Sequence, residues 1–198
     1  MVEIQDLTGF KYVGKNKRKK QIVLCHSSRN VRDYIISLRS RYNGNNPYIP
    51  NYVIDREGNI FNLIPANTYS KFIDEEAFNK NVITISLENL GWLMKKPLKN
   101  GAYVNWISNI YNEGIFERKW RGHFFWQPYT KKQINSMGTL ISELCDEFSI
   151  PKTLIGHNVK VDGIEKYEGI VSKSNYDSTY TDLSPAFDFE ELKKILEI

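Results

Sequence analysis

The chain is predicted to be an α/β protein: one domain over residues 1–198, with a central mixed β-sheet flanked by helices and carrying an aromatic-rich insertion. Three observations predict it. Short apolar runs at 22–26, 52–64 and 82–88 have strand length and end in polar or turn residues. Apolar residues at helical spacing fill 31–42 and 134–148 between and after those runs. All four tryptophans fall within 91–129, a stretch with neither pattern.

Ile22-Val23-Leu24-Cys25-His26 is bounded by bases before and Ser27-Ser28 after, which predicts a buried strand. Val31, Ile35, Leu38 and Tyr42 then predict a helix that Asn43-Gly44-Asn45-Asn46-Pro47 stops. Tyr52-Val53-Ile54-Asp55 and Asn59-Ile60-Phe61-Asn62-Leu63-Ile64 flank Arg56-Glu57-Gly58, a hairpin pattern with glycine in the reversal. Residues 82–88 alternate and are rich in β-branched side chains, which predicts another strand. Within 91–129, Lys99-Asn100-Gly101 and Asn112-Glu113-Gly114 read as turns between short strands. Thr130 caps a strong helix whose Ile134, Met137, Leu140, Ile141, Leu144, Cys145 and Phe148 share one face. Residues 151–157 are predicted as a last strand and 190–196 as a C-terminal helix, so one sheet with helices packed on it is the economical architecture.

At 198 residues, 41% hydrophobic and 25% charged, the chain suits one packed core. No stretch approaches the ~18 to 20 apolar residues of a membrane span, so membrane insertion is not expected. The early acid in Met-Val-Glu-Ile-Gln-Asp does not resemble a secretory signal, which predicts synthesis in the cytoplasm. Cys25 and Cys145 sit in apolar patterns and read as buried reduced thiols. A net charge of +4 and a pI near 8.9 permit attraction to an anionic polymer and decide no more. The run Lys15-Asn16-Lys17-Arg18-Lys19-Lys20 reads as a solvated loop. A nucleic-acid role would rest on that run alone, so no nucleic-acid partner is expected.

Two of the three histidines, His26 and His157, end predicted strands, where a rigid scaffold presents side chains to a cleft. Either one alone reads as an ordinary hydrogen-bonded histidine at a sheet edge. Two such histidines with an acid on a third loop match the His, His, carboxylate set of catalytic zinc with an open fourth position. His123 lies outside these patterns and is given no metal role.

In order along the chain, several segments resemble the N-acetylmuramoyl-L-alanine amidase superfamily, which includes the peptidoglycan recognition proteins. The segment 22–28 is similar to its first strand, an apolar run ending in a zinc histidine followed by hydroxylated residues. Tyr52-Val53-Ile54-Asp55-Arg56-Glu57-Gly58 resembles its hairpin, and Ile83-Thr84-Ile85-Ser86-Leu87-Glu88-Asn89 the strand with its catalytic glutamate. Tyr129-Thr130-Lys131-Lys132-Gln133 resembles the start of its long helix. Ile155-Gly156-His157 and Thr181-Asp182-Leu183-Ser184-Pro185 resemble its second and third ligand segments.

The resemblance implies one zinc ion on His26, His157 and Asp182, with Glu88 taking a proton from water and Tyr180 assisting the oxyanion. It places Asn51, Tyr69 and Asn89 on the substrate side. The implied reaction is hydrolysis of the amide between N-acetylmuramic acid and L-alanine, with peptidoglycan or a muropeptide as partner and the protein a monomer. A phage endolysin is the preferred setting, with cytoplasmic recycling of wall fragments as the alternative. A catalytically weak or inactive peptidoglycan-binding module of the same fold is the rival function. Relatives with two adjacent histidines leave Cys25 open as first ligand, although His26-Ser27-Ser28 keeps the ligand-then-hydroxyl order. Tyr180 stands where many relatives have lysine, and 25 positions separate His157 from Asp182, a longer gap than is common. The roles of 91–129 and 159–180 are left open.

Overall fold

Ile22, Val23, Leu24 and Cys25 offer solvent no polar side chain, and all four are buried to within 1% of completeness in the fold. The computed structural model of the protein describes residues 3–73, 76–96 and 101–198. In chain order the strands are β1 (Ile4–Asp6), β2 (Gly14–Lys15), β3 (Gln21–His26), β4 (Tyr52–Ile54), β5 (Ile60–Asn62), β6 (Thr68–Tyr69) and β7 (Val82–Leu87). They continue as β8 (Trp92–Lys95), β9 (Tyr103–Val104), β10 (Ile110–Tyr111), β11 (Phe116–Trp120), β12 (His123–Trp126) and β13 (Gly169–Ser172). The helices are α1 (Val31–Ser40), α2 (Glu76–Asn79), α3 (Lys131–Phe148) and α4 (Phe189–Leu196).

The main sheet is mixed, with the order β1-β5-β4-β7-β3-β13. The run β4, β7, β3, β13 is parallel, and β5 returns antiparallel to β4 through the expected hairpin. There Asp55 Oδ1 accepts the Asn59 N–H at 2.8 Å, and Gly58 takes φ +86 against the start of α3. Residues 82–88 do not alternate in burial as expected. All of β7 is buried because both faces of the central sheet are covered, as parallel strands require.

On one face, Ile22, Leu24, Ile54, Ile83 and Ile85 pack against Met137, Leu140, Ile141 and Leu144 of α3 and Leu192 of α4. Tyr34 and Leu38 of α1 cover Val53 on the other face, with Ile164 packed on Val23 and Val171 beside them. Thr130 begins α3 as foreseen: its hydroxyl accepts the Gln133 N–H while the Gln133 amide oxygen accepts the Thr130 N–H. Helix α1 stops at Ser40, and Tyr42, expected on its apolar face, turns out at φ +54.

Two expectations are corrected. Residues 151–157 form an extended loop whose only ladder contact among the described residues is the bridge from Leu154 to Ile170. The sheet-edge strand is instead β13, from the stretch 159–180 whose role was left open, because Gly169–Ser172 keeps full parallel register with Gln21–Leu24. The basic run is not wholly solvated either. Lys19 is 4% exposed, with Nζ donating to the carbonyls of Thr68, Lys80 and Val82.

The aromatic stretch folds as a five-stranded antiparallel sheet, β10-β9-β8-β12-β11. Trp126 is fully buried with Nε1 donating to the Arg118 carbonyl, and Trp92 stacks on His123 at 4.1 Å. The expected turn at Lys99-Asn100-Gly101 falls partly on residues 97–100, outside the described residues.

Candidate active site

The parity of β3 that sends Ile22 and Leu24 into the α3 core also sends His26 to that side, at the carboxyl end of the strand beside the start of α3. The ring is 3% exposed. Its Nδ1 lies 3.1 Å from Asp182 Oδ1, and the backbone N–H of His26 donates to the same oxygen at 2.7 Å. The Tyr129 hydroxyl stands 3.4 Å from Nδ1. On the opposite side the ring meets Gly91, where a Cβ would fall 2.7 Å from Nε2. Asp182 is clamped from behind, as the Ser174 N–H and hydroxyl both donate to its carbonyl.

Cys25 has the opposite parity. Its thiol donates to the Ile85 carbonyl at 3.5 Å, and burial, with the nearby Asp182 charge adding to it, pushes it up to about 12. The imidazole of His26, not that thiol, faces the carboxylate. His157 is exposed. Its carbonyl accepts from the Asn175 amide at 3.0 Å, and the next residue, Asn158, donates to the Leu183 carbonyl at 2.8 Å. The backbone of His157 is thus tied to elements beside Asp182, while its ring lies outside the pair. Among the described residues no group of three or more His, Cys, Asp or Glu side chains is gathered to hold a metal.

Donor chemistry and spacing test the fit to zinc. Two ligands of a tetrahedral zinc with bonds of ~2.0–2.1 Å stand about 3.3 Å apart. His26 Nδ1 and Asp182 Oδ1 are at 3.1 Å, so these two donors fit. The third expected donor is present on the adjacent loop and faces solvent.

The pair opens into a cavity of about 330 Å³, lined also by Arg29, Arg41, Trp106, Lys173 and Tyr180. Lys173 follows β13 directly, and its Nζ lies 4.3 Å from the Tyr180 ring centroid and 4.8 Å from that of Phe72. Glu88 follows β7 directly, held by its N–H to the Ile54 carbonyl and by the Gln133 amide on its own carbonyl. Its Oε2 accepts the Val31 N–H in the first turn of α1 at 3.1 Å. Burial raises the Glu88 carboxyl above the ordinary glutamate value and Asp55 adds to this, opposed by the Val31 N–H and Arg56.

Glu88 lines a separate cavity of about 350 Å³ with Arg56, Tyr111 and Gln127. Asn105 stands between the two. It is 1% exposed, and its amide donates to the Ser28 carbonyl at 2.8 Å and the Leu90 carbonyl at 3.4 Å. Trp106, next along, is 54% exposed and lines the His26 cavity, while Asn109 and Tyr111 line that of Glu88.

The remaining candidates lie elsewhere. Asn51 is 2% exposed, its oxygen accepting from Thr84 and its amide donating to the Pro65 carbonyl. Asn89 is fully buried between the Gln127 carbonyl and the Gly91 N–H. Tyr69 packs on Gly14, away from both cavities. Arg29, Lys173, Trp106 and Tyr129 were not foreseen as site residues. The apolar Gly-Ile-Val-Ser run of β13 was the available signal for Lys173, since side chains just beyond carboxyl ends of parallel strands face ligands.

The family profile of N-acetylmuramoyl-L-alanine amidase matches residues 12–168, ending before Lys173, Tyr180 and Asp182. The chain therefore belongs to the N-acetylmuramoyl-L-alanine amidase family. Among solved structures it is similar to the N-acetylmuramoyl-L-alanine amidase LysC from Clostridium intestinale URNW, at 15% identity and TM-score 0.58, covering 100% of this chain and 99% of that one. AmiD from E. coli, in complex with anhydro-N-acetylmuramic acid-L-Ala-D-gamma-Glu-L-Lys, has 15% identity and TM-score 0.56, with 90% of this chain and 57% of that one covered. AmpDh3 from Pseudomonas aeruginosa, in complex with anhydromuramic pentapeptide, has 16% identity and TM-score 0.55, with 92% and 61% covered. No curated protein matches the sequence. Among the described residues no helix is long and apolar enough to cross a membrane.

Proposed function

We propose that this protein hydrolyses the amide bond between N-acetylmuramic acid and the L-alanine of the peptidoglycan stem, with one zinc ion held by His26, Asp182 and His157. The observation that carries this reading is the 3.1 Å approach of His26 Nδ1 to Asp182 Oδ1, the spacing of two ligands on one ion, in a chain of the amidase family. Zinc on two neutral imidazoles and one carboxylate would polarise a carbonyl and acidify water.

The chain's own groups do the rest. Tyr129 and Gly91 hold the His26 ring from two sides. Glu88 is the proton acceptor in this reading, and its raised proton affinity suits it to return the proton to the departing alanine nitrogen. Substrate that displaces the Asn105 segment would join the Glu88 cavity to that of His26. In this reading Tyr180, which lines the cavity under the Lys173 ammonium, donates to developing negative charge. Complexes of AmiD and AmpDh3 with muropeptides support a substrate of that class. Similarity over full length to LysCS, an endolysin from Clostridium intestinale URNW (16% identity), favours a lytic role on walls.

A second reading is a wall-binding module with slow turnover or none, favoured by the separate cavities of Glu88 and His26. Digestion of purified peptidoglycan with end-group analysis separates the two. New N-terminal L-alanine that disappears on chelation is the expected result; wall binding with no new amino termini would favour the module.

A further inference from the structure

The cavity of His26 and Asp182 has an excess of cations that the amide chemistry does not use. Arg29, Arg41 and Lys173 line it, and among the described residues Asp182 is its only acid, already engaged by His26. None of the three cations has an ion-pair partner among the described residues. Lys173 is the most firmly placed of them. It is half-buried at the end of β13, whose register with β3 fixes it beside the strand that delivers His26. The rings of Phe72 and Tyr180 hold its ammonium at 4.8 and 4.3 Å, which orients the charge without neutralising it. A partly desolvated, unpaired ammonium beside a reaction centre is a receptor for an anion.

We propose that Lys173, flanked by Arg29 and Arg41, binds the free α-carboxylate of the γ-linked D-glutamate that follows L-alanine in the stem, and so selects stems in which that carboxylate is not amidated. This rests on the amidase reading. The scissile amide itself is neutral, and a γ linkage leaves the glutamate α-carboxylate as the fixed negative charge nearest to it.

The probes are N-acetylmuramoyl-L-alanyl-D-isoglutamate and the same glycopeptide with D-isoglutamine, which replaces the carboxylate by a neutral amide of equal size. Wild type should favour the carboxylate substrate at least about tenfold in kcat/KM, chiefly through KM, as one charged hydrogen bond implies. Lys173→Met should bring the two substrates to near equality, Lys173→Arg should restore part of the preference, and unchanged melting of both variants would show that the fold is intact. Equal use of both substrates by wild type, or an equal fall in kcat on both in Lys173→Met, would overturn the proposal. If wild type cleaves neither, the amidase reading fails first. Calorimetric binding then decides the subsite: tighter binding of the carboxylate form that Lys173→Met abolishes upholds it, and equal or absent binding overturns it.

Discussion

One oxygen of Asp182 meets His26 twice, accepting its backbone N–H at 2.7 Å and standing 3.1 Å from its ring Nδ1. The carboxylate therefore has a structural and a chemical part, and two substitutions separate them. Asp182→Asn keeps an oxygen for the N–H but loses the charge; Asp182→Ala loses both. Both should cost more activity than the ~10- to 100-fold typical of losing a group that only supports a ligand. Only the alanine variant should also lose stability, by about 1–3 kcal/mol, for the N–H left unpaired. Urea titration beside an activity assay reads both; equal stability loss in the two variants would make the charge itself structural.

Gly91 is the second wall of the His26 ring. Its φ of +73 disfavours a side chain, and a Cβ would come within 2.7 Å of Nε2. Gly91→Ala should cost about 1–3 kcal/mol in backbone strain and push the ring from Asp182, reducing activity with it. A variant of full activity would show that the ring has room to shift.

Glu88 must be ionised to accept a proton, and burial raises its pKa above the ordinary glutamate value of 4.5. Activity is thus lost as pH falls through a value higher than an ordinary glutamate would give. The acid limb of kcat/KM should lie above 4.5 and vanish in Glu88→Gln, with activity down ~10²- to 10⁴-fold. A limb at or below 4.5 would remove Glu88 from that role.

Asn105 holds the divider between the cavities, and its Oδ1 also accepts the N–H groups of Ile107 and Asn109. Asn105→Ala should speed hydrogen exchange at those two amides and cost about 1–3 kcal/mol. Unchanged exchange would mean that neighbouring strands, not Asn105, fix the segment.

Lys19 gives a stability test remote from the site. Burial lowers its pKa from 10.5 to about 8. Between those values the unfolded chain holds a proton that the folded chain has released, so this residue's contribution to stability rises with pH. The stability of wild type relative to Lys19→Met should increase from pH 8 to 10; a flat difference would contradict the burial.

Local pattern carried much of the fold. Asp55 to Gly58 encode their turn, Thr130 and Gln133 their cap, and 22–26 their burial, so β3, the hairpin and α3 were legible. Where nonlocal pairing decided, pattern was not enough. Leu154 and Ile155 look as strand-like as Ile170 and Val171, and only the register with β3 gives the edge to β13. The same limit hid Lys173. His26 and Asp182 were legible as a pair through family motifs, whereas the burial of Asn51 and Asn89 in scaffold hydrogen bonds follows from tertiary packing alone.

The central claim is that the exposed His157 ring joins His26 and Asp182 on one metal. Zinc content of purified wild type beside His157→Ala, measured by elemental analysis after dialysis, tests it most directly. One zinc per chain in wild type and little in the variant is the expected result. Full zinc in His157→Ala, or none in a wild type that still releases N-terminal L-alanine, would contradict it.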